Sequence, residues 1–592
     1  MRIKHIDGLR AYSVIAVVLF HALPEIFPNA YIGVDYFLVI SGYVISKKYI
    51  FTEHEFNFLN FWKRRIIRLY PQLIACILLC IPFALFMMSP DLLENFFQSC
   101  VATLLAANNI LLSLTSGYWG SANELKPLYT TWSLALEEQF YLLLSILLFC
   151  FDIKKRKNLL LLLGAILFIT SIFFCLNNGF LLGKSNYLLL PSRFWEFAIG
   201  IIAAWISEKE YKLPNYTSTI SLVIIIFFTF ENFTITQNAP SVLFFVPLVC
   251  VALICIDSSL NKIQQLLSLK PVVYIGLASY SIYLYHQPLL AFVRLSSYEK
   301  LDQNISIFII FFSILIGTIM YELVEKKGNL FLRLFNKFSE NFRAIALLIF
   351  SLFLASLSFW AVLGKGWFKS RFPHLLINGE IPLGFLGGKK YTDIPYKFLN
   401  KEFKVNDKEI KILFIGDSKI RDLMNAFILI EGELNTNFDL SYIDSYDHKN
   451  NLHKKIAFNS QLVFTQMAHE RMTHLPVNKV ILVETRKNFI NNINPIFFKK
   501  DIDKRINFRA KDSEIKKDLF KINENGQLIL SDIQPFLDEK GFKKITDNKG
   551  NLISFDGIHL SGSGVRILGN SLKQNIFLIE KIRRLEKKNI NL

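Results

Sequence analysis

The stretch Ile6–His21, IDGLRAYSVIAVVLFH, decides the fold. It is apolar for most of its length, as a helix crossing a bilayer must be. It nevertheless holds Arg10 near one end and His21 at the other. Eleven steps of about 100° carry the chain about 20° past three turns, so both residues lie on one helix face. At ~1.5 Å per residue they stand about 16–17 Å apart along the axis. An ionisable group inside a span is costly and is therefore a site candidate. Arginine suits phosphates through its rigid fork of donors. Histidine suits proton transfer from a hydroxyl near neutral pH. A phosphate-bearing donor with a long flexible arm fits that face. The plain alternative is a snorkelling Arg10 and a His21 bonded to a backbone carbonyl.

Outward from this helix, the chain of 592 residues is 52% hydrophobic, with a mean hydropathy of +0.35. That level implies membrane spans. Apolar runs fall at about 8–23, 31–50, 72–89, 133–151, 158–176, 187–206, 217–231, 240–257, 272–293, 305–324 and 342–363, eleven in all. The stretch 92–114 is apolar but carries Asn108 and Asn109, and reads as a re-entrant or interfacial piece. The N-terminus lacks a small-residue cleavage site and reads as a retained first span. With the N-terminus in the cytoplasm, the inner links hold twenty-two basic residues and the outer links four, namely Lys126, Lys184, Arg294 and Lys300. This asymmetry fixes the orientation and supports the count, because one missed span would invert every later link. An odd number of spans places the C-terminal part outside the membrane.

The net charge of +18 is explained by these links, and nucleic acid is not expected as a partner. All seven cysteines lie in the apolar part, from Cys76 to Cys255. They read as packing residues, and no metal is expected. From about Gly364 onward the chain is rich in Lys, Asp and Asn and has no run able to cross a bilayer. That shift is the main boundary.

Further polar groups sit in the apolar part. Gly33–Tyr43, GVDYFLVISGY, holds Asp35 and Ser41. Trp62–Pro71, WKRRIIRLYP, offers Arg64, Arg65 and Arg68 to anionic lipid or a phosphate, or serves orientation alone. Thr131–Leu143, TWSLALEEQFYLL, holds Trp132, Glu137 and Glu138. Ser192–Gly200, SRFWEFAIG, holds Arg193 and Glu196, three apart and able to pair on a helix. Gly276–Leu290, GLASYSIYLYHQPLL, holds His286 ahead of Pro288.

Six motifs in this order resemble the membrane acyltransferase-3 family, typified by O-antigen acetylases, over roughly residues 1–330. The resemblance implies a ten-span acyltransferase domain, acyl-CoA as donor from the cytoplasm, and Arg10 and His21 at the active site. Two departures stand out. The last family span ends ELVEKKG, with Lys326 and Lys327 where the family has Arg-Pro after the Glu. Thr131 stands where a His often precedes Trp-Ser-Leu.

In the polar part, Lys411–Leu423, KILFIGDSKIRDL, reads as a strand, a tight turn and a helix, with Ser418 at the helix start, where negative charge is stabilised. Near the end, Ile553–Gly564, ISFDGIHLSGSG, sets Asp556 three residues before His559. Ser early and Asp-x-x-His late resemble the SGNH hydrolase family. By that resemblance Ser418 is the nucleophile, His559 the base and Asp556 its orienter. The amide that this family uses to stabilise an oxyanion is missing from its usual motif. Asn488, after the strand in KVILVETRKNF, is the nearest substitute.

The expected architecture is therefore a polytopic α-helical membrane bundle, ten spans over 1–330 plus a linking span over 331–365. A connector over 366–408 and a three-layer α/β SGNH-like (flavodoxin-like) domain over 409–592 follow. The expected activity is O-acyl transfer, most simply of acetyl from acetyl-CoA, across a bacterial inner membrane to hydroxyls of a surface or lipid-linked glycan such as lipopolysaccharide O-antigen. Membrane lipids are the other expected partners. Asp35, Ser41, Arg65, Arg68, Trp132, Glu137, Arg193 and His286 are expected to bind substrate or donor. The rivals are a glycan transporter, against which the lack of an internal repeat counts, and an anchored esterase, for which one span would suffice.

Overall fold

The structure is a computed structural model. It describes residues 3–51, 56–115, 123–150, 153–176, 187–208, 213–214, 216–231, 244–257, 261–297, 301–326, 338–371, 394–404, 409–434, 436–466, 475–484, 509–513, 518–522, 528–548, 553–554 and 560–590. The chain forms two compact units, Met1–Ser296 with Leu301–Gly366, and Ser297–Lys300 with Trp367–Leu592.

The first unit is helical. Its helices are α1 (Lys4–Ala22), α2 (Gly33–Tyr49), α3 (Phe58–Met87), α4 (Pro90–Leu104), α5 (Asn108–Thr115), α6 (Thr131–Cys150), α7 (Ile153–Leu176) and α8 (Leu190–Ser207). They continue as α9 (Thr217–Phe230), α10 (Phe245–Ile256), α11 (Lys262–Leu267), α12 (Lys270–Leu277), α13 (Ser279–Ser296), α14 (Gln303–Met320) and α15 (Glu340–Leu363). Among the described residues, four stretches are long and apolar enough to cross a membrane: α3, α6, α14 with the turn that follows it, and α15. Phe308 and Phe311 of α14 and Phe353 and Trp360 of α15 face outward, which suits hydrocarbon and not water. The unit is that of a multi-pass membrane protein.

Three elements differ in form from their apolar runs. The span expected at 72–89 belongs to a helix of 30 residues that starts at Phe58. At ~1.5 Å per residue α3 is about 45 Å long, so Arg64, Arg65 and Arg68 ride on the span itself. The piece expected at 92–114 is two helices, α4 and α5, separated at Ala106, whose φ is +52°. The Asn side chains that made it unlike a span are buried and used: Asn108 Nδ2 donates to the Leu128 carbonyl at 2.9 Å and Asn109 Nδ2 to that of Leu188 at 3.0 Å. The run at 272–293 is α12 and α13, parted at Ala278. After α14 the chain makes a π-helical turn, Tyr321–Glu325.

Small residues let backbones meet, as in other membrane bundles. A Cβ on Gly42 of α2 would stand 2.3 Å from the Phe197 carbonyl oxygen, and one on Gly200 of α8 2.1 Å from that of Val39. Neither position can hold another residue without parting the two helices.

The second unit is α/β. Strands β1 (Ile410–Ile415), β2 (Phe438–Ile443), β3 (Leu462–Thr465), β4 (Val480–Glu484), β6 (Phe520–Ile522) and β7 (Leu528–Ser531) form one sheet. Strands β5 (Arg509–Ser513) and β8 (Phe542–Lys544) form a separate pair. The order of the large sheet is β2-β1-β3-β4-β7-β6. Its first five strands are parallel and β6 is antiparallel. Successive side chains of a strand face opposite ways. Ile410, Ile412 and Phe414 accordingly join one core with α16 (Ser418–Leu434) and α18 (Gly562–Gln574), together with Leu578 and Ile582 of α19 (Ile576–Ile590). Leu413 and Ile415 join the other with α17 (Asn451–Asn459). The sheet is thus covered on both faces.

Candidate active sites

Three sites emerge, two in the helical unit. The first is a cavity of about 250 Å³ whose lining includes Arg10, Ser41, Arg64, Arg65, Arg68, Glu137, Glu138 and Tyr141. Arg65 is held by Glu138, Nη2 to Oε1 at 2.6 Å, and lies 3.7 Å from the centre of the Tyr141 ring. Ser41 Oγ donates to Glu137 Oε1 at 3.0 Å. Arg68 stands 4.0 Å from Glu325, which takes a bond from Ser281 Oγ at 2.7 Å. Arg10 makes no ion pair among the described residues. The lining therefore keeps more positive than negative charge, an anion's surroundings. Glu325 is a residue that the sequence reading misses, although two acids, Glu322 and Glu325, at the end of an apolar run are the signal that marks it.

The second site is at the other end of α1. His21 Nδ1 lies 3.0 Å from the Val17 carbonyl oxygen and 3.2 Å from His286 Nε2. His286 Nδ1 lies 2.7 Å from the Tyr283 carbonyl oxygen. These contacts admit one consistent pair of neutral tautomers. His286 donates from Nδ1 and accepts at Nε2, and His21 donates from Nδ1. That leaves His21 Nε2 with a free lone pair, the form a general base needs. Arg294 donates to the His21 carbonyl. Arg10 and His21 thus share a helix but belong to different clusters.

Asp35, Trp132 and Arg193, expected at a substrate site, are placed elsewhere. Arg193 Nη1 bonds both Asp35 Oδ1 and Glu196 Oε1, the latter at 2.8 Å, and its Nε donates to the Tyr187 carbonyl at 3.0 Å. The Trp132 ring lies 5.6 Å from the guanidinium. The ion pair expected between Arg193 and Glu196 forms, and Asp35 completes it. All three charged side chains are almost fully buried, so the cluster closes on itself.

The third site is in the α/β unit. Ser418 is buried at the start of α16, two residues after Gly416, whose φ of +142° suits glycine. Tyr442 Oη lies 2.7 Å from the Gly416 carbonyl oxygen and 2.6 Å from Asp444 Oδ1, and its one proton serves either acceptor. Burial pushes the Tyr442 phenol up, which keeps it a donor. Lys419 N donates to Asp417 Oδ1 at 2.8 Å. Leu560 N donates to Asp422 Oδ2 at 3.0 Å, joining the chain after position 559 to the first turns of α16. Asp556, His559 and Asn488 lie outside the described residues. In a doubly wound sheet of this order the crevice lies at the carboxyl ends of β1 and β3. Gln466 follows β3 there, and its Nε2 is buried without a hydrogen-bond partner. Its Oε1 is 3.1 Å from where a Gly416 Cβ would stand. No group of residues able to hold a metal ion occurs among the described residues.

Comparison with known proteins bears on the helical unit. The family model described as an acyltransferase domain, acyltransferase-3, matches residues 3–323. The chain belongs to the acyltransferase-3 family. Among its relatives, the O-acetyltransferase OatA of Staphylococcus aureus strain NCTC 8325 is 28% identical over 351 residues, covering 55% of this chain and 57% of the relative. The peptidoglycan O-acetyltransferase OatA of Listeria monocytogenes is 29% identical over 311 residues, 49% of each chain. A Komagataeibacter xylinus relative, named for membrane-bound transacylase activity, is 27% identical over 332 residues, 55% of this chain and 83% of its own. The chain spans about half the length of the OatA relatives it matches. No solved structure matches. The family match covers α1 and its Arg10 and His21, together with His286, and ends before Glu325.

Proposed function

We propose that this acyltransferase-3 protein is an O-acetyltransferase of the bacterial inner membrane that moves acetyl from acetyl-CoA in the cytoplasm to hydroxyls of a cell-envelope glycan. The observation that carries the reading is the division of labour along α1. At one end Arg10 faces a cation-rich cavity suited to the donor's phosphates. At the other, His21 keeps Nε2 free for proton transfer. The donor's flexible arm spans the about 16–17 Å between them. His21 takes the proton of the acceptor hydroxyl as its oxygen attacks the thioester carbonyl. The C–O bond forms, the C–S bond breaks and the coenzyme leaves as its thiol.

In this reading the α/β unit is an SGNH-like domain outside the membrane, a side that the charge of the links supports. It receives or trims the ester through Ser418, with His559 as base, Asp556 as its orienter and the Gln466 amide as donor to the oxyanion. The acceptor is a surface glycan. O-antigen and peptidoglycan, the latter from the name of the Listeria relative, are told apart by where the ester partitions.

The test is base-released acetate from fractionated envelopes of cells lacking the gene, complemented with wild type, His21→Ala or Ser418→Ala at matched membrane levels. Loss of a general base costs about 10²–10⁴-fold, so His21→Ala abolishes the ester. Full restoration by His21→Ala would sink the membrane site and favour the transporter or the anchored esterase. Binding of coenzyme A by the purified chain separates these, because a glycan transporter has no use for it.

A further inference from the structure

The polypeptide before α6 rests on the turn of α13 that carries His286, and at this contact three polar atoms, two from the segment and one from α13, have no partner among the described residues. Lys126 is buried, 4% exposed, and its Nζ has no partner among the described residues. Asn123 Oδ1 and Gln287 Oε1 are likewise buried and unmatched. The three residues adjoin one another. Lys126 N donates to the Asn123 carbonyl at 3.2 Å, and Gln287 Nε2 donates to the Lys126 carbonyl at 3.1 Å. Gln287 directly follows His286.

The same segment touches the proposed reaction centre. The Tyr129 ring lies edge-on to His21, with centroids 6.4 Å apart. Tyr129 Oη is 3.1 Å from Tyr187 Oη.

A buried ammonium without an anion is among the most costly groups a protein can hold. Sequences keep such defects where a ligand completes them. The chemistry of the unmatched atoms selects the ligand. Lysine offers three donors and no acceptor, the two amide oxygens accept only, and the paired tyrosine hydroxyls do both. A carboxylate or phosphate would satisfy Lys126 and be repelled by the amide oxygens. A sugar ring, whose every hydroxyl both donates and accepts, satisfies all of them. Tyr129 and Tyr187 add aromatic surface for its C–H face.

We infer that Asn123, Lys126 and Gln287, with Tyr129 and Tyr187, form the subsite that holds the acceptor sugar against His21. The assignment rests on the reading of His21 as the base that activates a glycan hydroxyl. It makes Lys126 a binding residue, and it predicts a separation of stability from transfer that a structural role does not produce.

The experiment uses the full-length chain in the complemented deletion strain, with its own envelope as the acceptor, and the same chain purified in detergent. Lys126→Met keeps the length of the side chain and removes the charge. Envelope ester acetate falls at least about tenfold. The melting temperature stays the same or rises, since an unpaired buried charge has been removed, and coenzyme A binds as in wild type. Wild-type ester levels in Lys126→Met overturn the subsite. So does a melting temperature lowered by both Lys126→Met and Lys126→Gln, which would assign Lys126 to folding. If Lys126→Met does not accumulate, Lys126→Gln decides by the same readings. His21→Ala run in parallel separates the layers. If it too keeps the ester, the base assignment falls and the subsite with it. If only the Lys126 variant keeps the ester, the subsite alone is wrong.

Discussion

Two arginine clusters in the helical unit use the same residue types to opposite ends. Arg193 meets Asp35, Glu196 and a backbone carbonyl, and only 3% of its side chain is exposed. Around Arg10 the cations outnumber the carboxylates that hold them. Arg65 is bound to Glu138, while Arg68 only approaches Glu325 and is 57% exposed. The first cluster is closed off from any ligand, and the second is open to one. Charge inside this membrane bundle therefore marks a binding site where the protein leaves it reachable. Charge that is sealed marks helix packing, here of α2 against α8.

The largest effect should come from breaking the sealed cluster. Arg193→Met leaves two carboxylates buried without a cation, and losing one side of a buried pair costs about 3–5 kcal/mol. Thermal unfolding of the purified chain checks this, with a melting temperature within about 2 °C of wild type as the result that contradicts it. The comparison sharpens with Arg193→Met, Asp35→Leu and Glu196→Leu combined. Replacing a whole buried ionic group with apolar residues is often neutral or stabilising, so the triple variant should recover much of the loss.

The open cluster should respond in the opposite way. Arg10→Gln is expected to leave the melting temperature unchanged and to weaken coenzyme A by about 10–100-fold, the worth of ~1.5–3 kcal/mol for bonds to a charged group. Arg10→Lys should restore only part of the affinity, because a point charge lacks the two-pronged geometry. Isothermal titration of the detergent-solubilised chain reads both. A drop in stability that matches the drop in binding would put Arg10 in the class of Arg193.

The sequence distinguishes these clusters only in part, for physical reasons. Arg10 and His21 are legible because helical periodicity puts residues eleven apart on one face. The Arg193–Glu196 pair is legible at a spacing of three. Asp35 is 158 positions from Arg193 and His286 is 265 from His21, and no local pattern joins such residues. Among apolar runs, length and basic links announce helices but not their breaks. The parting of α12 from α13 at Ala278 is announced only by Gly276, two residues earlier. In the α/β unit the strand ending at Ile415 and the turn to Ser418 follow from KILFIGDS. Asn488 is expected as the amide because KVILVETRKNF occupies the place of the family's intermediate motif. The sheet sets the four residues of β3 beside β1, and four residues are too few for periodicity to decide. Gln466 is found only from the strand order.

The smallest effect tests whether the open cluster is tuned from a distance. Gln72 Nε2 donates to Ser281 Oγ at 2.8 Å and to the Met320 carbonyl at 2.7 Å, just before the π-helical turn. Tyr285 Oη donates to Gln72 Oε1 at 3.1 Å. Ser281 in turn donates to Glu325, the carboxylate that faces Arg68. A π turn adds a residue to a helical ring and redirects the side chains after it, so Gln72 holds in place the turn that aims Glu325. Gln72→Leu removes all three bonds, but only the one to Ser281 leads directly to Glu325; one such bond is worth about 0.5–1.5 kcal/mol, so coenzyme A should weaken by about two- to tenfold. A bare loss of packing would produce the same number, and a double-mutant cycle separates the two. If Gln72 acts through Glu325 on Arg68, its substitution costs little more once Arg68 is already Gln. If the cost is undiminished in the Arg68→Gln background, the path through Glu325 is wrong, and the π turn belongs with the sealed cluster as part of the packing alone.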